Sequence, residues 1–487
     1  MKFSATYLET ARVHTRSLKM SNGILRTDGD RIVDGSGKTV ILRGAGLGGW
    51  MNMENFITGY PATEHQHRAS MLKVLGKEKY EFFFDKFLEY FFMEDDAKFF
   101  ASVGLNCLRL PFNYRHFEDD MNPRVLKESG FKHLDRVIDL CSKYNIYTVL
   151  DMHTVPGAQN PDWHSDNPSN YASFWDHKDH QDRTIWLWSE LAKRYRNNPW
   201  VAGYNPINEP CDPLHYRLPA FYDRFEAAIR KIDPDHILFL DGNTFAIEWR
   251  HFDNVLPNSV YALHDYSTMG FPTGEPFTGS QAQIEKLERQ FLRKCSFQTA
   301  KKVPAWNGEF GPVYESDPKA EDINTQRYNL LGAQLKLYQK HQTPWSIWLY
   351  KDLGLQGMVR TDPESPYHKL VAPFLEKKKA LNLDCWGAQE SQSLTEAMSP
   401  LVKWIEENAP KAKEQYPTPW GVERQIRRAV MESYVASSFS DEFAELFAGK
   451  SEKELDELAA SWKYENCAKR EGLNKVLGEF AEARGSD

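Results

Sequence analysis

Glu209 and Glu309 each close an apolar, strand-like run: Tyr204-Asn205-Pro206-Ile207-Asn208-Glu209-Pro210 and Val303-Pro304-Ala305-Trp306-Asn307-Gly308-Glu309-Phe310. Two carboxyl groups at strand ends suit the cleavage of an acetal. One protonates the leaving oxygen, and the other, ionised, meets the positive charge that develops at the anomeric carbon. A strand terminus is a rigid mount, because sheet pairing holds the backbone while the side chain reaches the solvent side. A glutamate taken at random is a solvated surface charge. These two differ by context: Asn208 and Pro210 flank one, Gly308 and Phe310 the other.

The elements that must position them follow from periodicity. Strand-like runs at 40–45, 105–110, 147–153, 201–207, 237–241, 260–264, 304–309 and 345–349 alternate with helical stretches at 131–143, 181–194, 219–231, 281–297 and 324–340. Eight β/α units in this order predict an α/β fold, a closed (β/α)8 TIM barrel. Two polar, aromatic segments, 52–79 and 155–182, read as long loops at the strands' C-terminal ends, where barrels build selectivity. From about 389 the chain turns rich in Glu, Lys, Ala and Leu. Ser451-Glu452-Lys453-Glu454 is a capping box that starts a helix with Leu455, Leu458, Ala459 and Trp462 on one face. The expected organisation is an N-terminal segment (1–24), a catalytic barrel (25–388) and a helical C-terminal extension (389–487) that packs on the barrel and does no chemistry.

Several motifs share a family resemblance. Asn208-Glu209-Pro210 with Glu309 resembles glycoside hydrolase family 5, retaining β-glycosidases on a (β/α)8 barrel. Leu42-Arg43-Gly44-Ala45-Gly46-Leu47-Gly48-Gly49-Trp50 followed by Glu54, and Gln159-Asn160 after Asp151-Met152-His153, resemble its fungal exo-β-1,3-glucanase branch and intracellular β-glucosidase relatives. Leu108-Arg109-Leu110-Pro111, Leu263-His264-Asp265-Tyr266 and Trp345-Ser346-Ile347-Trp348 look like the second, sixth and eighth strands. The resemblance implies Glu309 as an ionised nucleophile, with Arg109 and Tyr266 as its donors, and Glu209 as the proton-carrying acid. It implies Asn208 at the sugar 2-hydroxyl, His153 and His264 lining the sugar site, Trp348 as its floor and Glu54 closing its non-reducing side. No cofactor and no metal are required. The substrate class is a β-glucoside of a planar aglycone, including 6-O-rhamnosyl-glucosides that release rutinose; exo-β-1,3-glucan, simple β-glucosides, steryl glucoside and glucosylceramide are alternatives. An inactive carbohydrate-binding barrel is the alternative of another class.

Composition agrees. Of 487 residues, 41% are hydrophobic and 13% aromatic, and 14 Trp with 22 Tyr exceed what a core needs, leaving ring faces for sugars and planar groups. A net charge of −8 argues against nucleic acid and anionic membranes as partners; a small neutral glycoside fits, and oligomeric state is not encoded. The segment 1–20 holds Lys2, Arg12, Arg16 and Lys19 without an apolar run, six cysteines lack paired spacing, and there is no glycosylation sequon. The expected location is cytoplasmic. Gly44-Ala45-Gly46-Leu47-Gly48-Gly49 matches a dinucleotide fingerprint by spacing, but no helix follows at once, so a nucleotide cofactor is not expected. The pairs His65/His67 and His177/His180 lack a carboxylate-histidine ligand pattern and read as loop histidines.

Overall fold

The computed structural model describes residues 22–383, 386–387 and 391–481. Residues 1–21 of the expected N-terminal segment and the expected boundary at 388–389 lie outside them. Eight parallel strands close a barrel: β1 (Arg43–Gly46), β2 (Cys107–Asn113), β3 (Tyr147–Thr154), β4 (Val201–Asn205), β5 (Ile237–Asp241), β6 (Ser259–His264), β7 (Ala305–Glu309) and β8 (Trp345–Ile347). Each strand pairs with the next, and β8 returns to β1 with Trp345 opposite Arg43. Helices such as Phe131–Lys143, Lys178–Tyr195, Arg217–Ile229 and Glu321–Lys340 cover the outside. The strands are almost wholly buried because both faces are packed, one on the helices and one on the barrel interior. A hairpin, Arg26–Asp28 with Arg31–Val33, brings Leu25 and Ile32 into the apolar cluster that holds Cys107, Phe239 and Trp306.

The glycine-rich first strand has a packing reason. A Cβ at Gly46 would come within 2.6 Å of the Trp348 indole, and one at Gly48 would fall equally close. These glycines make room for a ring rather than for a phosphate. Trp50 points away into the core and donates its indole N–H to Leu88 O at 2.9 Å.

One expected loop is largely helix. After the short helix Asn55–Thr58, residues Glu64–Phe91 form a long helix interrupted at Gly76 (φ 70°), so 52–79 is a loop only in its first part. Its start is a capping box in which Thr63 and Gln66 satisfy each other's backbone N–H groups. His65 lies 2.9 Å from Asp166, and His67 stacks on Tyr60. The segment 155–182 is irregular apart from single turns at Trp163–Ser165 and Ser173–Trp175, with a helix from Lys178.

The C-terminal region is more than helices. Strand β10 (Cys467–Lys469) pairs antiparallel with β9 (Val359–Thr361), and helix Glu471–Ala481 lies against Glu321–Lys340. Helix Glu452–Ala460 begins at the Ser451 box and buries Leu455, Leu458 and Ala459 against Glu64–Phe91. Lys351 is fully buried and donates to Asp96 (2.6 Å), Phe91 O (2.8 Å) and Trp462 O (2.8 Å), joining barrel and extension through one ammonium group. No helix among the described residues is long and apolar enough to cross a membrane.

Candidate active site

The strand ends converge on a cleft of about 670 Å3 at the C-terminal mouth of the barrel. Glu209 and Glu309 face each other across its floor. One carboxylate oxygen from each, and a ring nitrogen of His264, lie within 4.8 Å of one another. His264 Nδ1 is 2.6 Å from Glu209 Oε1 and 3.6 Å from Glu309 Oε2. Arg109 Nη1 donates to Glu309 Oε1, and Tyr266 Oη donates to Oε2 at 3.0 Å. Burial and the two neighbouring carboxylates hold the Tyr266 hydroxyl well above its ordinary range, so it stays a donor. Arg109 supplies the positive charge that such an acidic, imidazole-bearing cluster would otherwise take from an ion.

Glu209 is mounted unusually. Its backbone is left-handed, with φ 47°, a conformation a non-glycine residue keeps only when its surroundings enforce it. Two hydrogen bonds do so: Glu209 N donates to Asp241 Oδ2 at 3.0 Å, and Asn160 Nδ2 donates to Glu209 O at 3.0 Å. Burial would raise the Glu209 carboxyl, but His264 and His164 outweigh it and hold Glu209 far below the usual carboxylate range. Burial would lower both rings; Glu309 with Glu209 raises His264, and Glu209 raises His164. Glu209 is therefore paired with two imidazoles, and its titration belongs to the cluster.

Not all of the expected substrate contacts line the cleft. Glu54, His153, His264, Tyr266 and Trp348 do. Arg109 and Asn208 are fully buried behind the wall. Asn208 Oδ1 accepts from Arg109 at 2.7 Å and its Nδ2 lies 3.1 Å from His153 Nε2, so Asn208 is engaged by protein where a sugar hydroxyl was expected. His153 Nδ1 lies 2.7 Å from Asp151, its Nε2 lies 3.5 Å from Glu54, and its ring stacks on Trp348 with centroids 5.3 Å apart. Burial pushes the Glu54 carboxyl up, against His153. Gln159 is also fully buried; its amide donates to His153 O (2.7 Å) and Asn208 O (2.8 Å), bracing two strand ends rather than facing substrate.

Other residues of the cleft had no signal in local sequence. His164 sits 3.0 Å from Glu209 Oε2. Trp163 and Trp386 flank Phe56, and Trp386 meets Tyr266 edge-on at 5.1 Å. From the extension come Trp420, stacked on Phe245 at 5.5 Å, and Glu423, Arg424 and Arg427. The extension, expected to pack on the barrel and do no chemistry, thus lends polar side chains to the cleft wall. Helix Gly421–Ala429 carries its charges at helical spacing, so they read as a solvated face until the barrel is placed beneath them.

Comparison with known proteins agrees with this geometry. Residues 80–354 match the model of the cellulase family, glycosyl hydrolase family 5. A protein named beta-xylosidase from Phanerodontia chrysosporium is 55% identical over 94% of this chain and 98% of its own length. A probable glucan 1,3-beta-glucosidase A from Aspergillus clavatus is 28% identical over 66% of this chain and 85% of its own. Among solved structures, an endogalactoceramidase superposes with a TM-score of 0.50 at 18% identity, covering 68% of this chain and 75% of that one, a likeness of fold. The chain is a glycoside hydrolase and belongs to glycosyl hydrolase family 5.

Proposed function

We propose that the protein is a retaining, exo-acting β-glycosidase for β-glycosides of planar aglycones, with Glu309 as nucleophile and Glu209 as acid and then base. One observation carries this reading: the facing oxygens of Glu209 and Glu309 lie within 4.8 Å. Retaining pairs stand about 5–5.5 Å apart, and inverting pairs need about 6.5–9.5 Å to seat a water. Arg109 and Tyr266 both donate to Glu309, whose carboxyl group is aimed into the cleft. As it attacks the anomeric carbon, the bond to the leaving oxygen breaks and that oxygen takes the proton from Glu209. Water then enters, gives its proton back to Glu209 and releases the sugar with β configuration.

Exo action is supported by Glu54, a buried carboxyl on the loop after β1 that lines the cleft beside His153. Such a group accepts hydrogen bonds from hydroxyls on the sugar's non-reducing side and closes that end. The aromatic wall of Trp163, Phe245, Phe271, Trp386 and Trp420 suits a flat aglycone. The relative named beta-xylosidase favours a site that draws no binding from a sixth carbon, which xylosides lack. A site indifferent to that carbon accepts both xylosides and glucosides, and where the same direction is open it releases rutinose intact from an aryl rutinoside. Cytoplasmic action belongs to the same proposal; the cysteines among the described residues are free thiols, which suits a reducing compartment.

The test is Glu209→Ala assayed on a leaving-group series. Turnover of 2,4-dinitrophenyl glycosides survives glycosylation and is accelerated by azide, which gives a β-glycosyl azide, while alkyl glycosides are lost. Equal loss on both, without azide rescue, overturns the assignment. Product analysis on aryl xyloside, glucoside and rutinoside separates the substrate branches.

A further inference from the structure

Glu209 is gripped on both oxygens, by His264 at Oε1 and by His164 at Oε2. His264 belongs to β6. His164 lies on the irregular chain after β3 and is backed from outside the barrel. Its Nδ1 faces Asp162 Oδ2 at 3.9 Å. Asp162 is in turn paired with Arg428 Nε (2.9 Å) and Arg424 Nη2 (3.4 Å), both on helix Gly421–Ala429. Arg428 also donates to Asn167 O (2.9 Å) and Ser433 Oγ (2.6 Å), so it is built into the loop that carries His164. These are interior contacts: the His164 and Asp162 side chains keep 12% and 11% exposure, and Arg428 none.

Asn160 indicates why an imidazole stands there. Its Oδ1 accepts from Asp162 N at 2.9 Å and its Nδ2 donates to Glu209 O, which fixes the amide's orientation. The same Nδ2 lies 3.0 Å from His164 Nε2. A neutral ring accepts here, from Asn160 or from a protonated Glu209; a charged ring donates to an ionised Glu209. An amide nitrogen standing in place of the ring nitrogen would only donate, and so would serve only the ionised Glu209.

We propose that His164 is a positioning residue that shares the acid proton with Glu209, and that Asp162, Arg424 and Arg428 make the C-terminal extension part of this device. The inference rests on Glu209 being the acid of the proposed reaction. The Glu209–His164 pair carries one proton at rest, on either seat. Glycosylation passes it from Glu209 to the leaving oxygen as the C1–O bond breaks and the bond to Glu309 forms. The attacking water returns it during hydrolysis. Two seats hold a proton to higher pH than one. The charged and titratable groups facing His164 are Glu209 from the turn after β4, Glu54 from the loop after β1, His153 from β3, Asp162 on its own segment and, through Asp162, Arg424 and Arg428 of the extension.

The experiment is the pH profile of kcat/KM for His164→Gln on an alkyl glycoside and on a 2,4-dinitrophenyl glycoside. The alkaline limb moves down by about one pH unit or more for the alkyl glycoside and stays for the dinitrophenyl glycoside, whose departure needs no acid. Asp162→Asn, which removes the anion favouring the charged ring, moves the same limb in the same direction by less. In histidine-detected NMR, Arg428→Gln shifts the His164 ring signals and leaves those of solvent-facing His341 in place; Arg424→Gln substitutes if Arg428→Gln does not fold. An unmoved limb in a His164→Gln protein with wild-type melting temperature overturns the role of His164, and unmoved ring signals remove the extension from it. If Glu209→Ala shows no leaving-group dependence, the acid assignment falls and this inference with it; if that dependence holds while the limb stays, only this inference falls.

Discussion

The two ends of the barrel strands are built from opposite materials on one pattern. Read every second residue along a strand and the side chains of one face follow in order. Strand β2 gives Cys107 then Arg109; β3 gives Val149, Asp151 and His153; β5 gives Ile237, Phe239 and Asp241; β6 gives Val260, Ala262 and His264. The entry end is hydrocarbon, joined by Leu25 and Ile32 of the N-terminal hairpin. The exit end is a buried lattice of charge: Arg109 reaches Asp151 at 3.1 Å, Asn205 at 3.0 Å and Glu309. Burial pushes Asp241 there up to about 6, against His264 and Arg109. One end is held by area removed from water; the other holds unfavourable buried charge in place for chemistry, and its rigidity comes from the first.

This division separates what substitutions do. At the exit end, Glu309→Ala removes about 10^4-fold or more of kcat, about 5.5 kcal/mol of barrel-mouth chemistry, with little change in melting temperature. Retained turnover, or a matching collapse of stability, would break the division. At the entry end, Phe239→Ala takes a fully buried ring away from Trp306, whose centroid is 5.0 Å distant. It costs about 3–5 kcal/mol of unfolding free energy, read by denaturant titration, while kcat per folded molecule stays near wild type.

The extension shares in both roles. Removing the chain from 389 onward takes Trp462 O from the buried Lys351 and uncovers the apolar face of Glu64–Phe91. The truncated protein is expected to lose solubility or melt earlier, and an equally stable, soluble truncation would make the extension a separate module. A smaller effect belongs to Glu54→Ala, which lowers kcat/KM on glucosides by the loss of one or two charge-assisted hydrogen bonds, about 1.5–3 kcal/mol each; unchanged kcat/KM would sink the exo reading.

The smallest effect is in pH. Asp166 ties the helix start at His65 to the segment after β3; burial would raise its carboxyl, but Arg115 and His65 hold it down, at about 2. A folded value below the unfolded one of 3.8 gives stability that is present above the unfolded value and lost as pH falls through the folded one. The stability advantage of wild type over Asp166→Asn, about 2 kcal/mol from this linkage near neutral pH, shrinks as pH falls from 4 to 2. An advantage independent of pH would assign Asp166 a packing role.

The barrel was legible because most strands, such as β3, β5 and β6, repeat apolar residues at a period of two and end at a polar one, a pattern local to a handful of residues. Glu209 and Glu309 were legible for the same reason. The helix at Glu64–Phe91 was harder: Glu64, His65, Gln66, His67 and Arg68 open it with polar side chains on every face, although Thr63 and Gln66 carried the cap signal. His164, Asp162 and the arginines of Gly421–Ala429 were not legible, because Asp162 and Arg424 stand 262 positions apart and meet only once the chain between them has folded. Asn208 was misplaced since its neighbour Glu209 reaches the cleft while its own side chain turns inward to Arg109.

The central claim is that the paired carboxyls work by double displacement, and it is tested most directly by the anomer first released. Proton NMR of an aryl β-glucoside digest, followed before mutarotation, is predicted to show β-glucose appearing first, with α-glucose growing in later. α-Glucose as the first product would contradict the account.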